Sequence, residues 1–386
     1  MKQLVLLYWG CVFLMYLSQT YYPVETQLDG HQTGKRHFML RRSDIFMIIV
    51  IAWLTCFSFL RTSYNDTVNY IFEWNRGTVS LDEFLASDEL QKLGSNPLYD
   101  LYRTLVHEIT DNYHVFFFFP AVLSCIGSVK LIKRFSIDPA FSLVIFFSIG
   151  TYIMYMAAMK QCFAIAILFF SLPYAIDRKY VRYYLLVLFA MLFHTHAFIF
   201  LLVPFLFRKP WGKTTWVLFV IAIAAMATYN FTFDRLMNFA LSIGVNVADF
   251  ELFDGHSIHP IRVVVYAIPT ALSLVFRKRL YADSTRQENL FANMSIVAVF
   301  ILMIGLIQGA NLFARMAAYY EIALSISFPW MINKIFDKKS AQFLTIVGTI
   351  CFFGYFLYEF GVSKGFDSGY RAITLWQFFT ELLGIG

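Results

Sequence analysis

The sequence predicts an all-α protein: a polytopic membrane bundle of helices with about 12 membrane segments. Two observations carry that class. Of its 386 residues 59% are hydrophobic, 19% aromatic and only 15% charged, whereas soluble domains carry about a quarter charged residues. The apolar runs also alternate with short basic clusters, the pattern of membrane spans joined by cytoplasmic loops. Mean hydropathy is +0.61. The net charge of +6 lies in those short clusters, so it does not read as a nucleic-acid footprint, and no nucleic-acid partner is expected.

Taken in order, the apolar runs are 2–22, 44–60, 114–133, 139–158, 161–176, 214–230, 260–276, 290–308, 313–332 and 341–360. The first, MKQLVLLYWGCVFLMYLSQT, imitates a signal peptide. Its single lysine and lack of a small-residue cleavage site predict a retained span instead. Between the second and third runs, 61–113 is expected to be a large external segment with surface helices. Its Tyr64, Tyr70, Trp74, Tyr99 and Tyr102 either stack on sugars or form an interfacial aromatic belt. A second external loop is expected at 231–259. No internal repeat, low-complexity tract or flexible linker appears, so 1–386 reads as a single transmembrane domain.

The basic residues set the expected topology. The short loops 23–43, 130–138, 177–182, 208–213, 277–289 and 333–340 hold 20 of the 31 Lys and Arg, which makes them cytoplasmic. Both termini then face outward. One stretch, 183–207, has basic residues at both ends, Arg182 before it and Arg208 and Lys209 after it. It must rise and return, as a re-entrant helical hairpin with His194 and His196 at its tip. Irregular backbone at that depth must be buried in protein or line a wet cavity. Two tilted full spans, with the histidines nearer the outer surface, form the alternative.

By this topology several polar residues gather in the outer half: Arg61, Lys160, Gln161, Arg315 and Glu321, beside the histidines. Ionisable groups in membrane segments are costly and therefore point to function. Each also has a structural reading. Arg61 can be a snorkelling anchor, Lys160 the mark of a tight turn, and Arg315 a partner for Glu321 or an outer-loop acid. Three cations on one side suit a bound anion. Metal chemistry is not expected: H-x-H supplies two ligands, with a third only from the distant His256, His259 or an acid. The five cysteines lie in apolar runs without C-x-x-C spacing and read as buried hydrophobes. No phosphate loop is present, and no cofactor is expected.

FLRTSYNDTVNY resembles the Arg…Asp-Thr…Tyr signature of the EpsG-type, Wzy-like polysaccharide polymerases. KQCFAIAILFF is similar to that family's Arg-Gln…Ala segment, LLVLFAMLFHTHAFIF to its Phe-His-x-Ser-Ala segment, and FARMAAYYEIALSISFP to its late Arg…Tyr span. The resemblance covers roughly 44–335, in order. Two positions depart: the family's Arg-Gln is Lys160-Gln161, which loses the bidentate fork, and the family's serine is His196. His194, which matches the family's histidine, therefore ranks above His196.

The resemblance implies a glycosyltransferase on the outer face of the bacterial plasma membrane. It would polymerise polyprenyl-pyrophosphate-linked oligosaccharide repeat units for capsule, exopolysaccharide or O-antigen. The donor and acceptor are such lipid-linked units, the lipid bilayer is the solvent, and a flippase and a chain-length regulator are expected partners. Arg61, Lys160 and Arg315 are expected to bind pyrophosphate, with Gln161, Tyr319, Tyr70 and His196 completing substrate binding. His194 is the first candidate for general base and Asp66 the second. A flippase or transporter, with Glu321 or Glu359 as coupling group, and an O-antigen ligase are the alternatives.

Overall fold

The computed structural model describes residues 1–20, 42–77, 80–86, 96–229, 231, 235, 238, 242 and 256–385. Most of the loop 23–43, much of 231–259 and part of 61–113 lie outside the described residues. The chain divides into two compact units, one formed by 1–78, 106–166 and 338–386 and the other by 79–105 and 167–337.

Each apolar run becomes helix. Five helices are long and apolar enough to cross a membrane: Lys2–Thr20, Tyr113–Phe135, Met159–Ile176, Arg286–Ile304 and the continuous Lys338–Ser363. A sixth span arises if Pro139–Ser148 and Thr151–Ala157 count as one. The protein is therefore a multi-pass membrane protein of helices, and the expected count of about 12 is not reached by helix length. The reason is shortness: Ser43–Phe59, Tyr180–Met191, Thr195–Phe207, Lys213–Ala227 and Pro260–Val275 are apolar but only 10–17 residues long. At ~1.5 Å per residue an α-helix of that length falls short of a ~30 Å hydrocarbon core.

The first unit has two distinct ends. At one, the Ser18 hydroxyl donates to the Ser43 carbonyl, Lys133 Nζ donates to Ser18, and Gln19 donates to Asp138. These residues border the loops 23–43 and 130–138, so the flanks of two loops expected on one side share one end. At the other end the fold is not purely helical. Arg61–Ser63 (β1) pairs antiparallel with Arg371–Ala372 (β2), a two-stranded ribbon the sequence reading lacks.

The run 139–158 is also not one straight helix. It bends by 49° at Gly150, whose φ of 85° a side chain tolerates poorly. A Cβ there would sit 2.9 Å from the Phe360 ring. Gly150→Ala is accordingly expected to cost about 2 kcal/mol through left-handed strain and the clash. A lowered unfolding midpoint in detergent checks this, and an unchanged midpoint refutes it.

In the second unit, Tyr180–Met191 and the 3-10-wound Thr195–Phe207 form the hairpin read from the charge pattern. Both feet meet at Arg286, which donates to the Tyr180 hydroxyl at 2.6 Å and lies 3.5 Å over the Phe207 ring. The arms touch midway, Tyr183 donating its hydroxyl to the Phe200 carbonyl. The remaining basic loops collect at the same end: Asn293 donates to the Arg208 carbonyl, Lys209 to that of Ala282, and Lys334 pairs with Asp283 at 2.6 Å. A 13-residue 3-10 helix is unusually long for that form and often marks strain or a hinge.

Candidate functional site

The nine expected site residues fall into two sets, one in each unit. In the first unit the set is built on the residues following the helix Arg42–Phe59. Arg61 is 1% exposed. Its Nε donates to Thr67 Oγ1 at 2.9 Å and its Nη1 to the Ser58 carbonyl at 2.6 Å, while the guanidinium lies 4.3 Å from the Phe117 ring centre. Nη2 is buried and makes no hydrogen bond, and no carboxylate among the described residues forms a salt bridge with this side chain. Burial pulls the guanidinium pKa down, to about 10, which leaves it charged at neutral pH. A snorkelling anchor would instead hold its head in water.

The helix Thr67–Asn75 follows, with Asp66 at its N-cap position. Thr67 and Tyr70 are three apart and share a face. Thr67 donates to the Met156 carbonyl at 3.4 Å, and the Tyr70 hydroxyl accepts the Met159 N–H at 3.1 Å. The signature thus docks onto the break between the helices Thr151–Ala157 and Met159–Ile176. Lys160 and Gln161 occupy the first turn of the second helix, Lys160 half-buried and Gln161 buried. Lys160 sits two residues past the break at Ala158, in the helical turn that carries the motif partners.

Three of the five aromatic residues expected to stack on sugars or form a belt have no open face. Tyr64, Trp74 and Tyr99 are buried, and Trp74 stacks on Phe116 while donating to the Asp111 carbonyl. Their apolar area goes into holding the short helices down.

The second set gathers at the hairpin tip. The helix Tyr180–Met191 ends at Leu192, and His194 is extended, with φ of −157°. Residues at the start of Pro97–Ile109 lie against this break: Leu98 N–H donates to the Leu192 carbonyl and Thr195 N–H to Asn96 Oδ1. His194 Nδ1 is 2.9 Å from the Tyr319 hydroxyl, and the His194 and His196 rings meet edge to face at 4.9 Å. Tyr319 is buried, nine residues into the helix Ala310–Ile335. The tip therefore lies roughly 13 Å along that helix from its start.

Arg315 lies one turn before Tyr319 on the same face, its Nε donating to Asn311 Oδ1 at 3.0 Å. Glu321 is 1% exposed and bound by Arg262 at 3.0 Å, so one buried charge is neutralised. Glu359, the other carboxylate named as a coupling group, pairs with Lys364 at 2.9 Å.

Two further residues beside this set lie beyond the sequence expectations. Thr67 joins Arg61 to the Met156 carbonyl. His114, buried in the first turn of Tyr113–Phe135, opens a run of phenylalanines that masks it in the sequence. The signal was an ionisable residue at the head of a span. Among the described residues no group of three or more His, Cys, Asp and Glu is placed to hold a metal.

A family model described as EpsG family matches residues 44–372. No curated protein and no solved structure matches the chain.

Proposed function

The chain belongs to the EpsG family of Wzy-like polysaccharide polymerases, and from that premise we propose that it is a metal-independent glycosyltransferase of the bacterial plasma membrane, acting on its outer face. Its substrates are oligosaccharide repeat units carried on a polyprenyl pyrophosphate, and its product is a capsule, exopolysaccharide or O-antigen chain. A flippase supplying those units and a chain-length regulator are its natural partners.

The observation that carries this reading is Arg61: a charged guanidinium, nearly fully buried, with one N–H edge unspent and no carboxylate among the described residues to neutralise it. An unpaired buried cation costs several kcal/mol. A ligand that brings negative charge recovers that cost, and a pyrophosphate suits the planar fork. Lys160 and the first turn of Met159–Ile176 add a cation and backbone N–H groups beside it, and helix N-termini favour phosphate. Tyr70 and Gln161 complete this set.

Proton removal falls to the hairpin set. An acceptor hydroxyl oxygen bonds to the donor's anomeric carbon as the carbon–oxygen bond to pyrophosphate breaks, and the pyrophosphate leaves with the electron pair. The hydroxyl proton passes to His194. When His194 Nδ1–H donates to the Tyr319 hydroxyl, the accepting lone pair is on Nε2. Arg315 supplies the cation of this set and His196 a further polar contact. Asp66 is the second choice for base.

Purified protein in nanodiscs, given lipid-linked repeat units extracted from cells lacking this gene, should yield a ladder of lengthened chains that EDTA does not diminish. Recovery of single units alone would refute the polymerase reading, and transfer of one unit to a lipid A core would favour a ligase. The flippase alternative gains the second broken segment, at Gly150, since transporters use discontinuous helices. It loses its coupling groups, because Glu321 and Glu359 are both paired.

A further inference from the structure

We propose that His114 is a substrate-recognition residue that accepts a hydrogen bond from a hydroxyl of the donor's sugar, next to the pyrophosphate bound by Arg61. The inference rests on the pyrophosphate reading of Arg61 given above. His114 is 1% exposed. Its Nδ1 lies 2.9 Å from the Phe59 carbonyl, which can only accept, so Nδ1 carries the proton. In the neutral ring Nε2 is then purely an acceptor. It is buried and makes no hydrogen bond. The backbone is held as well, because Asn112 caps the helix and accepts the His114 N–H at 2.9 Å.

Arg61 and His114 are anchored side by side. Nη1 of Arg61 donates to the Ser58 carbonyl and Nδ1 of His114 to the adjacent Phe59 carbonyl. Both side chains flank Phe117, the guanidinium 4.3 Å and the imidazole 6.5 Å from its ring centre. Each spends one nitrogen on the end of the same helix and holds another, Nη2 and Nε2, without a partner. Helix capping accounts for the first pair of atoms and leaves the second unexplained. Buried polar atoms without partners are uncommon and costly to leave so.

The chemistry of the two atoms identifies their ligand. Nη2 donates and suits a phosphate oxygen. Nε2 only accepts, so it offers nothing to a fully ionised phosphate and needs an O–H or N–H donor. A sugar attached directly to pyrophosphate presents both groups within one molecule. Phe378, on the helix Leu375–Leu382, packs beside both anchors: its ring lies 6.1 Å from that of His114 and 5.1 Å from that of Phe59.

The test compares two probes on protein in nanodiscs: sugar-free polyprenyl pyrophosphate, and lipid-linked repeat units from cells lacking this gene. His114→Asn keeps an N–H toward the Phe59 carbonyl and deletes the Nε2 acceptor. It should bind the sugar-bearing probe on the order of tenfold more weakly and the sugar-free probe as wild type does. His114→Gln, whose amide oxygen reaches the Nε2 position, should recover part of that loss. Equal weakening of both probes, or wild-type binding of both by His114→Asn, overturns the proposal. If the wild-type protein binds neither probe, the pyrophosphate reading itself fails, an outcome distinct from a His114 effect.

Discussion

Arg61→Met is expected to stop chain growth, with a drop in transfer of at least about 100-fold, while the unfolding midpoint stays within a few degrees of wild type. Two opposing effects set the stability result. The substitution forfeits hydrogen bonds to Thr67 and to the Ser58 carbonyl, each worth roughly 1–3 kcal/mol when the donor is charged. It also removes a desolvated charge with no counter-ion among the described residues, and even replacing whole buried ion pairs by apolar residues is often neutral or stabilising by about 1–4 kcal/mol. Methionine fills similar volume against Phe117. Activity has no such offset, because nothing apolar can stabilise charge on a departing pyrophosphate. Lipid-linked single units should accumulate in cells carrying the variant. Normal chain lengths would remove Arg61 from the mechanism, and a collapsed midpoint would assign it a structural role instead.

His194→Ala should slow single-turnover transfer by about 100- to 10,000-fold, the usual contribution of a general base, without weakening donor binding. Tyr319→Phe separates proton removal from positioning. The phenylalanine keeps the ring and loses the hydroxyl 2.9 Å from Nδ1. Its effect should be about tenfold and confined to the transfer rate, because the imidazole remains but is no longer held in one tautomer. If Tyr319→Phe costs as much as His194→Ala, the tyrosine is more than a positioning residue. Wild-type transfer by His194→Ala would pass the base role to Asp66, at the N-cap of Thr67–Asn75.

The hairpin shows how far charge patterning reaches. Arg182 and Arg208 flank one apolar run, and that alone required both ends to share a side. The structure meets the requirement with one side chain, Arg286, contacting both feet. The bend at Gly150 was less legible. A lone glycine in an apolar run has many readings, and its φ of 85° becomes visible only with Phe360 packed against it. The sugar-stacking reading of Tyr64, Trp74 and Tyr99 failed for a related reason, since composition records that a ring is present and not whether it is covered.

By itself the sequence determined the membrane class, the position of nearly every helix, the grouping of the basic loops and the candidate polar residues. All of these follow from local quantities: runs of apolar side chains, charges at their ends, and residues too costly to sit in lipid without a purpose. Only the tertiary structure decided which of them meet. Arg61–Ser63 pairs with Arg371–Ala372 across most of the chain, His194 finds Tyr319 at a separation of 125 residues, and Glu321 takes Arg262. Such contacts are set by how helices pack, where each buried polar atom must find a partner wherever the fold brings one.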